Sequence, residues 1–255
     1  MINYFFEILV LAFIQGISEF LPVSSSAHLF VISEIHNFKT QSLSVDISLH
    51  LGSLLAILFY FRKELISFHK NKKLISLIIL GSIPLFVCGF IIYKTGIIST
   101  LRNLNIIAWT TLLFAVLLFI SDKFKVKKKI ETDLNLKSIL IIGFFQILSL
   151  IPGVSRSGIV ITAGRFLNLS RYDSTKISFY LSIPAIAGAS FLGLNDLYHQ
   201  SFDLNLVAFT SIALSFIFSF LTIKYFLIFV KKFSFNIFVI YRVLLSLILF
   251  VIIYY

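Results

Sequence analysis

The chain carries a single cysteine, Cys88, so it has no intrachain disulfide and no cysteine-based metal framework. It is also poor in charge: 13% of its 255 residues are Asp, Glu, Lys or Arg, against 58% hydrophobic. With a mean hydropathy of +1.00, a water-soluble domain is excluded, because a fold of this size could not hide that much apolar surface. The apolar runs lack strand-like alternation, which argues against an outer-membrane barrel and for helices with lipid as their solvent. The first residues, Met1-Ile2-Asn3-Tyr4, lack the basic region of a secretory signal, so the first apolar segment is expected to be retained.

What is present is a series of long apolar segments. Leu43 to Phe61, Leu74 to Tyr93, Leu104 to Ile120, Ile177 to Leu194 and Leu204 to Val230 each approach the ~20 residues that cross a hydrocarbon core as helix. The formal net charge of +11 sits between these segments, where it orients a chain in a bilayer; nucleic acid is not an expected partner. The basic run Lys123 to Lys129, followed by Glu131 and Asp133, reads as a linker near the middle of the sequence.

On either side of that linker the sequence echoes itself. Phe13-Ile-Gln-Gly-Ile-Ser-Glu-Phe-Leu-Pro-Val-Ser-Ser-Ser26 resembles Phe144-Phe-Gln-Ile-Leu-Ser-Leu-Ile-Pro-Gly-Val-Ser-Arg-Ser157, with a one-residue shift at the proline. Each motif interrupts an apolar stretch and leaves short flanking pieces, which suggests a re-entrant hairpin. The expected architecture is therefore one all-α polytopic membrane domain, an inverted repeat whose halves each hold one re-entrant helical hairpin and three transmembrane helices. Residues 1–122 form the first repeat, 123–135 a cytoplasmic linker and 136–255 the second repeat, with both turns reaching the midplane from opposite faces.

Two constellations carry chemistry. In the first, Gln15 and Glu19 lie four apart on one helical face, Pro22 ends that helix, and Ser24, Ser25 and Ser26 stand at the start of the next, with His28 close behind. Helix-start amides and hydroxyls suit an anion, and ionisable groups in an apolar region are usually kept for function. In the second, Pro152-Gly153-Val154-Ser155-Arg156-Ser157-Gly158 supplies a flexible turn, two hydroxyls and a guanidinium that fits phosphate oxygens. The plain alternatives are helix capping by the serines and a structural Glu19–Arg156 ion pair. A lipid flippase or transporter, and a membrane scaffold, are the competing functional classes.

Gln15-Gly-Ile-Ser-Glu19-Phe-Leu-Pro-Val-Ser-Ser-Ser-Ala-His28 and Pro152-Gly-Val-Ser-Arg-Ser-Gly158 resemble the two signature motifs of the undecaprenyl pyrophosphate phosphatases, the bacitracin-resistance phosphatases. Leu49-His-Leu-Gly52, Gly81-Ser-Ile-Pro84, Ser178-Phe-Tyr-Leu-Ser-Ile-Pro184 and Tyr241-Arg242 extend the resemblance over nearly the whole chain. It implies hydrolysis of a polyprenyl pyrophosphate lipid to the monophosphate carrier used in cell-wall synthesis. It further implies a divalent metal, magnesium or calcium, held by Glu19 and Gln15; catalytic roles for Glu19, Ser25, His28 and Arg156; and substrate contacts from Ser24, Ser26, Gly153, Ser155 and Ser157. Ser25 is the preferred nucleophile with His28 as its base, while attack by His28 or by water stays open on spacing alone. Three departures stand out: Gln15 where many relatives carry Glu, Ala27 where Gly is frequent, and Val160 where Thr is common, with Thr162 nearby.

Among the other ionisable groups, His36, His69 and His199 are expected at the interfaces, and Asp46 and His50 share a helical face that suits a supporting role. Arg242, deep in the last segment, is expected to make a structural contact. A second copy of the chain is retained as a candidate partner. Location in a bacterial inner membrane is expected, with the site opening to the periplasm or exterior.

Loop charge gives a test of orientation that does not use the motifs. With the N-terminus on side A, fifteen basic residues from Arg62 to Lys232 fall on side B, and only Lys39, Lys94 and Arg102 on side A. The positive-inside rule then makes side B cytoplasmic. In a Cys88→Ser background, single cysteines in the 123–129 loop should resist an impermeant thiol reagent in intact cells, while one near Asn195 should react. The reverse labelling pattern would overturn the assignment.

Overall fold

A computed structural model describes residues 2–25, 27–29, 32, 42–198 and 206–254. Ser26, His36 and His199 lie outside the described residues. Among the described residues the regular structure is helical, apart from one isolated bridge between Lys128 and Leu169. The helices are α1 (Ile2–Ser18), α2 (Leu43–Tyr60), α3 (Arg62–Ile66), α4 (Phe68–Thr95), α5 (Ile97–Leu101), α6 (Leu104–Asp122), α7 (Ile130–Asp133), α8 (Leu136–Ile147), α9 (Arg156–Phe166), α10 (Arg171–Tyr198), α11 (Leu206–Lys232) and α12 (Asn236–Tyr254). A single 3₁₀ turn, Leu148–Leu150, continues α8.

Six of these helices are long and apolar enough to cross a membrane: α2, α4, α6, α10, α11 and α12. The first five coincide with the apolar segments read from the sequence; the sixth, Asn236–Tyr254, was demanded by three crossings per half. In its most apolar window α12 has a mean hydropathy of 2.7, yet only 17% of that window is buried within the molecule. Phe90, Trp109, Phe144, Phe191 and Ile248 are likewise exposed. Surfaces of this kind are covered by acyl chains.

With apolar side chains turned outward, the helices meet through small and hydroxylated residues. Helix α11 packs on both α1 and α2. Ser53 Oγ hydrogen-bonds with Ser215 Oγ at 3.2 Å and Ser219 Oγ at 2.9 Å, and Ser215 Oγ donates to Leu49 O at 2.6 Å. Helix α8 packs on α4 at Gly143, where a Cβ would stand 2.2 Å from Gly81 O. Only glycine permits that approach, since the obstacle is backbone and cannot swing aside.

Polar caps close the helix ends. Ser42, Asn103 and Asn135 accept from the amides of Val45, Asn105 and Ser138, and Gly96 ends α4 in the left-handed region at φ +68°. In the linker, Lys127 N and Lys128 N donate to Asn168 O. Asp133 accepts from Lys129 N and Thr132 Oγ1, and the Lys129 amide bond foremost holds its carboxyl below the usual carboxylate range.

One buried carboxylate gathers four segments at the side-B end. Asp122, at the end of α6, accepts from Arg171 Nε at 2.6 Å and Arg171 Nη2 at 3.0 Å, and caps the Phe235 amide at 3.2 Å. Arg165 Nε stands 3.6 Å from the same carboxylate, and its Nη groups donate to the carbonyls of Asp122, Phe124 and Leu169. Nearby in the chain, Glu64 pairs with Lys176 at 3.3 Å and accepts from the Tyr180 hydroxyl. Basic loops that the charge count put on one side therefore do meet one another.

Asp122→Ala removes two hydrogen bonds from Arg171 and the cap of the Phe235 amide, and leaves the Arg165 guanidinium, 3% exposed, to its backbone carbonyls alone. A loss of about 3–5 kcal/mol is expected, shared among these contacts. Thermal melting in detergent should show it, with a smaller loss for Asp122→Asn, which keeps an acceptor for Phe235. An unchanged melting temperature for Asp122→Ala would remove the cluster's role in joining the helix ends.

Candidate active site

Helix α1 stops where its own sequence stops it. Pro22 has no amide to donate, and the chain turns through Glu19 to Val23, with Glu19 N still bonded to Gln15 O at 3.0 Å and Val23 N to Leu21 O at 2.8 Å. Phe20 anchors the turn: it is fully buried and packs edge-on against Phe179 of α10 at 5.4 Å. Ser24 then takes φ +76° and the next helical turn begins, with His28 N bonded to Ser24 O. The second motif repeats the device. Gly153 has φ +89° and Ser155 φ +71°, and Ser155 Oγ accepts from Gly158 N at 3.2 Å as the cap of α9. Serines in the left-handed region are strained, so both turns are held by what surrounds them.

The two turns meet at Glu19. Its Oε1 pairs with Arg156 Nη2 at 2.6 Å. Its Oε2 accepts from Ser25 Oγ at 2.8 Å and from Gln15 Nε2 at 3.1 Å. Arg156 also donates to Glu19 O and to Ser178 O, both at 3.3 Å. Ser157 Oγ donates to Leu21 O at 2.6 Å and lies 3.2 Å from Ser155 Oγ. The Glu19 and Arg156 side chains are 8% and 12% exposed, so each charge depends on the other for compensation.

His28 faces elsewhere. Its Nδ1 lies 2.6 Å from the Ser24 carbonyl and therefore carries the proton there; Nε2 accepts from the Tyr241 hydroxyl. The rings of His28 and Tyr241 stack at 5.6 Å and 8°. Both line a mostly apolar cavity of about 370 Å³, together with Phe13, Ile17, Ser18, Leu21 and Phe238. Phe13 and Ile237 at its rim are exposed, so the cavity opens toward lipid.

A family model described as bacitracin resistance protein BacA matches residues 8–248, from within α1 to within α12 and so across both turns. The chain belongs to that family. It is 57% identical over 255 residues to the undecaprenyl-diphosphatase of Pelagibacter ubique (strain HTCC1062), covering 100% of both chains. It is 42% identical over 249 residues to the undecaprenyl-diphosphatase of Elusimicrobium minutum (strain Pei191), covering 94% of this chain and 95% of the relative. It is 39% identical over 258 residues to that of Alteromonas mediterranea, covering 96% and 97%.

Within this BacA-family chain, Gln15, Glu19, Ser25 and Arg156 share one set of contacts, and Ser155 and Ser157 adjoin it through Leu21. His28 is not brought to Ser25: both of its nitrogens are engaged by Ser24 O and Tyr241. Thr162 does not stand in for a hydroxyl at Val160, because its Oγ1 donates to Gly158 O in its own helix. His50 Nδ1 meets the Asp46 backbone carbonyl at 2.8 Å rather than the carboxylate, and Asp46 Oδ1 is buried without a hydrogen-bond partner. Ser178, Tyr241 and Arg242 belong to the site's frame; the family-like segments Ser178 to Pro184 and Tyr241-Arg242 were the sequence signal for them, joined for Arg242 by its charge deep in the last apolar segment.

As a metal site, the donor set fits a shared cation. Glu19 offers a carboxylate, Ser25 a hydroxyl, and Gln15 Oε1 is a buried acceptor with no partner beside them. No group of three or more His, Cys, Asp or Glu that could hold an ion occurs among the described residues. One carboxylate and neutral oxygens suit a magnesium ion that takes its remaining ligands from phosphate and water.

Gly153 is required by the turn itself. A Cβ there would lie 2.1 Å from Thr110 Oγ1 and 2.8 Å from Ile107 O, and φ is already +89°. Gly153→Ala should therefore cost about 1–2 kcal/mol for the backbone and roughly 1–3 more for the collision. Gly96→Ala is the control, with φ +68° and nothing within 4 Å. Equal falls in melting temperature for the two variants would show that α6 does not press on the turn.

Proposed function

We propose that this chain hydrolyses undecaprenyl diphosphate to undecaprenyl phosphate and inorganic phosphate inside the membrane, recycling the carrier lipid and so giving bacitracin resistance. Its membership of the BacA family and the undecaprenyl-diphosphatase activity for which its relatives are named support this. The single observation that carries the chemistry is the Ser25 hydroxyl donating to one oxygen of Glu19 while Arg156 holds the other.

In this reading Ser25 Oγ attacks the terminal phosphorus and its proton passes to Glu19 Oε2. The bond from phosphorus to the bridging oxygen breaks, and that oxygen leaves on undecaprenyl phosphate. Water then attacks the phosphoserine, releasing inorganic phosphate and restoring the Ser25 hydroxyl. Arg156, once phosphate competes with Glu19 for it, neutralises the charge on the transferring group. Glu19 replaces His28 as the base for Ser25, for the plain reason that Glu19 is bonded to it. His28 and Tyr241, in the lining of the mostly apolar cavity, are placed to bind the phosphate that stays with the lipid. A bound magnesium or calcium ion held by Glu19 and Gln15 would supply further neutralisation of diphosphate charge.

The cavity between α1 and α12 takes the first prenyl units, and the rest of the tail stays in the bilayer. The inverted repeat with two re-entrant hairpins is supported by two correspondences. Ser24 and Ser155 share positive φ after a proline. Contacts also exchange in pairs: α1 packs on α11 as α8 packs on α4, and α2 on α11 as α10 on α4. Opening toward the periplasm is supported by the loop charge and by the Asp122 cluster, which ties the helix ends together on side B.

Arg156→Lys tests the assignment, because it keeps the cation and removes the planar fork. With purified protein, undecaprenyl diphosphate and magnesium, turnover should fall by an amount corresponding to about 2.7–4 kcal/mol of lost transition-state stabilisation. The melting temperature should move much less, since a cation remains for Glu19. Ser25→Ala should remove phosphate release altogether. Near-wild-type turnover in either variant, or no release from the wild type above a metal-free control, would sink the reading.

A further inference from the structure

Among the described residues the largest fully buried side chain is a cation that the phosphatase chemistry does not use. Arg242, in α12, is 0% exposed and forms no salt bridge among the described residues. Its partners are backbone carbonyls. Nη2 donates to Gly153 O at 2.9 Å; Nη1 donates to Val154 O at 3.1 Å and to Pro22 O at 3.4 Å; Nε donates to Thr111 O at 3.3 Å. One planar group thus bonds the turn of the first motif, the turn of the second and helix α6.

From this geometry we infer that Arg242 is the positioning residue of the site, a clamp that holds the two serine turns in register with each other. Three features carry the inference. First, each turn contains a serine at positive φ, a conformation that persists only when neighbouring groups over-determine it. Arg242 fixes the carbonyl just before Ser155 and the one two residues before Ser24. Second, a trans peptide points its C=O and the following N–H in opposite directions. Drawing the Val154 carbonyl toward Arg242 turns the Ser155 amide the other way, and drawing Pro22 does the same for Val23. Third, the guanidinium lies over the first turn of α9, where Arg242 Nη1 would stand 3.1 Å from a Cβ at Gly158. A cation at the positive end of a helix is unfavourable there, and carbonyl dipoles offset part of that cost. Such a placement is explained by what the guanidinium holds, not by a counter-ion.

Arginine is required for reach. Its five donors spread across a rigid fork, whereas a lysine ammonium gathers three at one point and cannot span carbonyls on three elements. Arg242 acts through Glu19, Ser25 and Arg156, and does not itself touch the reacting atoms in this account. Only the kinetic arm of the test rests on the phosphatase reading.

Arg242→Lys, Arg242→Gln and Arg242→Ala should each be purified as full-length protein, with melting temperature, kcat and KM measured together. A misplaced constellation predicts kcat lowered about 100-fold per folded molecule in all three, with KM changed far less. Millimolar guanidinium should restore part of the lost rate in Arg242→Ala and none in Arg156→Lys. A second readout needs no turnover. In a Cys88→Ser background, Val23→Cys and Val154→Cys report the two turns and Leu113→Cys reports the lipid face of α6. Adding Arg242→Gln should raise thiol modification at both turn cysteines together and leave Leu113→Cys unchanged. Normal kcat in folded Arg242→Gln, or loosening of one turn alone, would overturn the clamp. If the wild type releases no phosphate, the phosphatase reading fails and the paired labelling still decides the clamp.

Discussion

A carboxylate and a guanidinium can be kept away from water only if each neutralises the other, and the buried Glu19–Arg156 contact at 2.6 Å does this between residues of the two serine-rich motifs. Residues 137 apart in sequence are brought together by it, one on each turn. The pair therefore sets where the turns must stand, and the rest of the helices are arranged to let them. One Glu19 oxygen is held by Arg156 and the other accepts from Ser25, so under the proposed function a diphosphate competing for Arg156 would alter the charge felt by the oxygen that faces Ser25.

Holding two turns against each other in lipid calls for close helix approach, and that explains where the small residues lie. Gly16 and Gly52 bring α1 and α2 onto α11, and Gly143 brings α8 onto Gly81 of α4. Large side chains at these places would push the arms of the turns outward. The bulky residues face lipid instead, or fill the Phe-rich cluster of Phe20, Phe179, Phe226 and Phe235 beneath the first turn. Close packing and outward-facing aromatics are thus two sides of one constraint, imposed by a solvent that gives no hydrophobic gain for helix association.

Polar groups outside the Glu19–Arg156 contact are used as fasteners, each charge matched by the groups around it. Asp122, near the polar end of α6, meets two arginines and an amide. Arg242, with no carboxylate beside it, meets only carbonyls, which solvate a cation without demanding a second buried charge. Ser53, Ser215 and Ser219 tie α2 to α11 with neutral hydrogen bonds. These fasteners leave the cavity beside His28 and Tyr241 as the apolar opening near the site.

The amino-acid sequence by itself determined the membrane class, the apolar spans and the two serine-rich turns, because hydropathy, proline and charge act locally along the chain. Five of the six spans were legible as runs, and the Gln15/Glu19 pair followed from helical spacing. Counting the crossings grouped the loops carrying Arg62, Lys123, Arg171 and Lys176 on one side, and contacts of Asp122 with Arg171 and of Glu64 with Lys176 join those regions. The partner of Ser25 was not legible. Spacing of three residues favoured His28, yet the turn through Ser24 at positive φ aims Ser25 back to Glu19 and leaves His28 to Tyr241, 213 residues away. Arg242 was legible as a structural contact deep in the last segment, but its partners were not. Its meaning depends on three carbonyls from two distant turns, and backbone carbonyls carry no sequence signature, so only the tertiary structure could decide it.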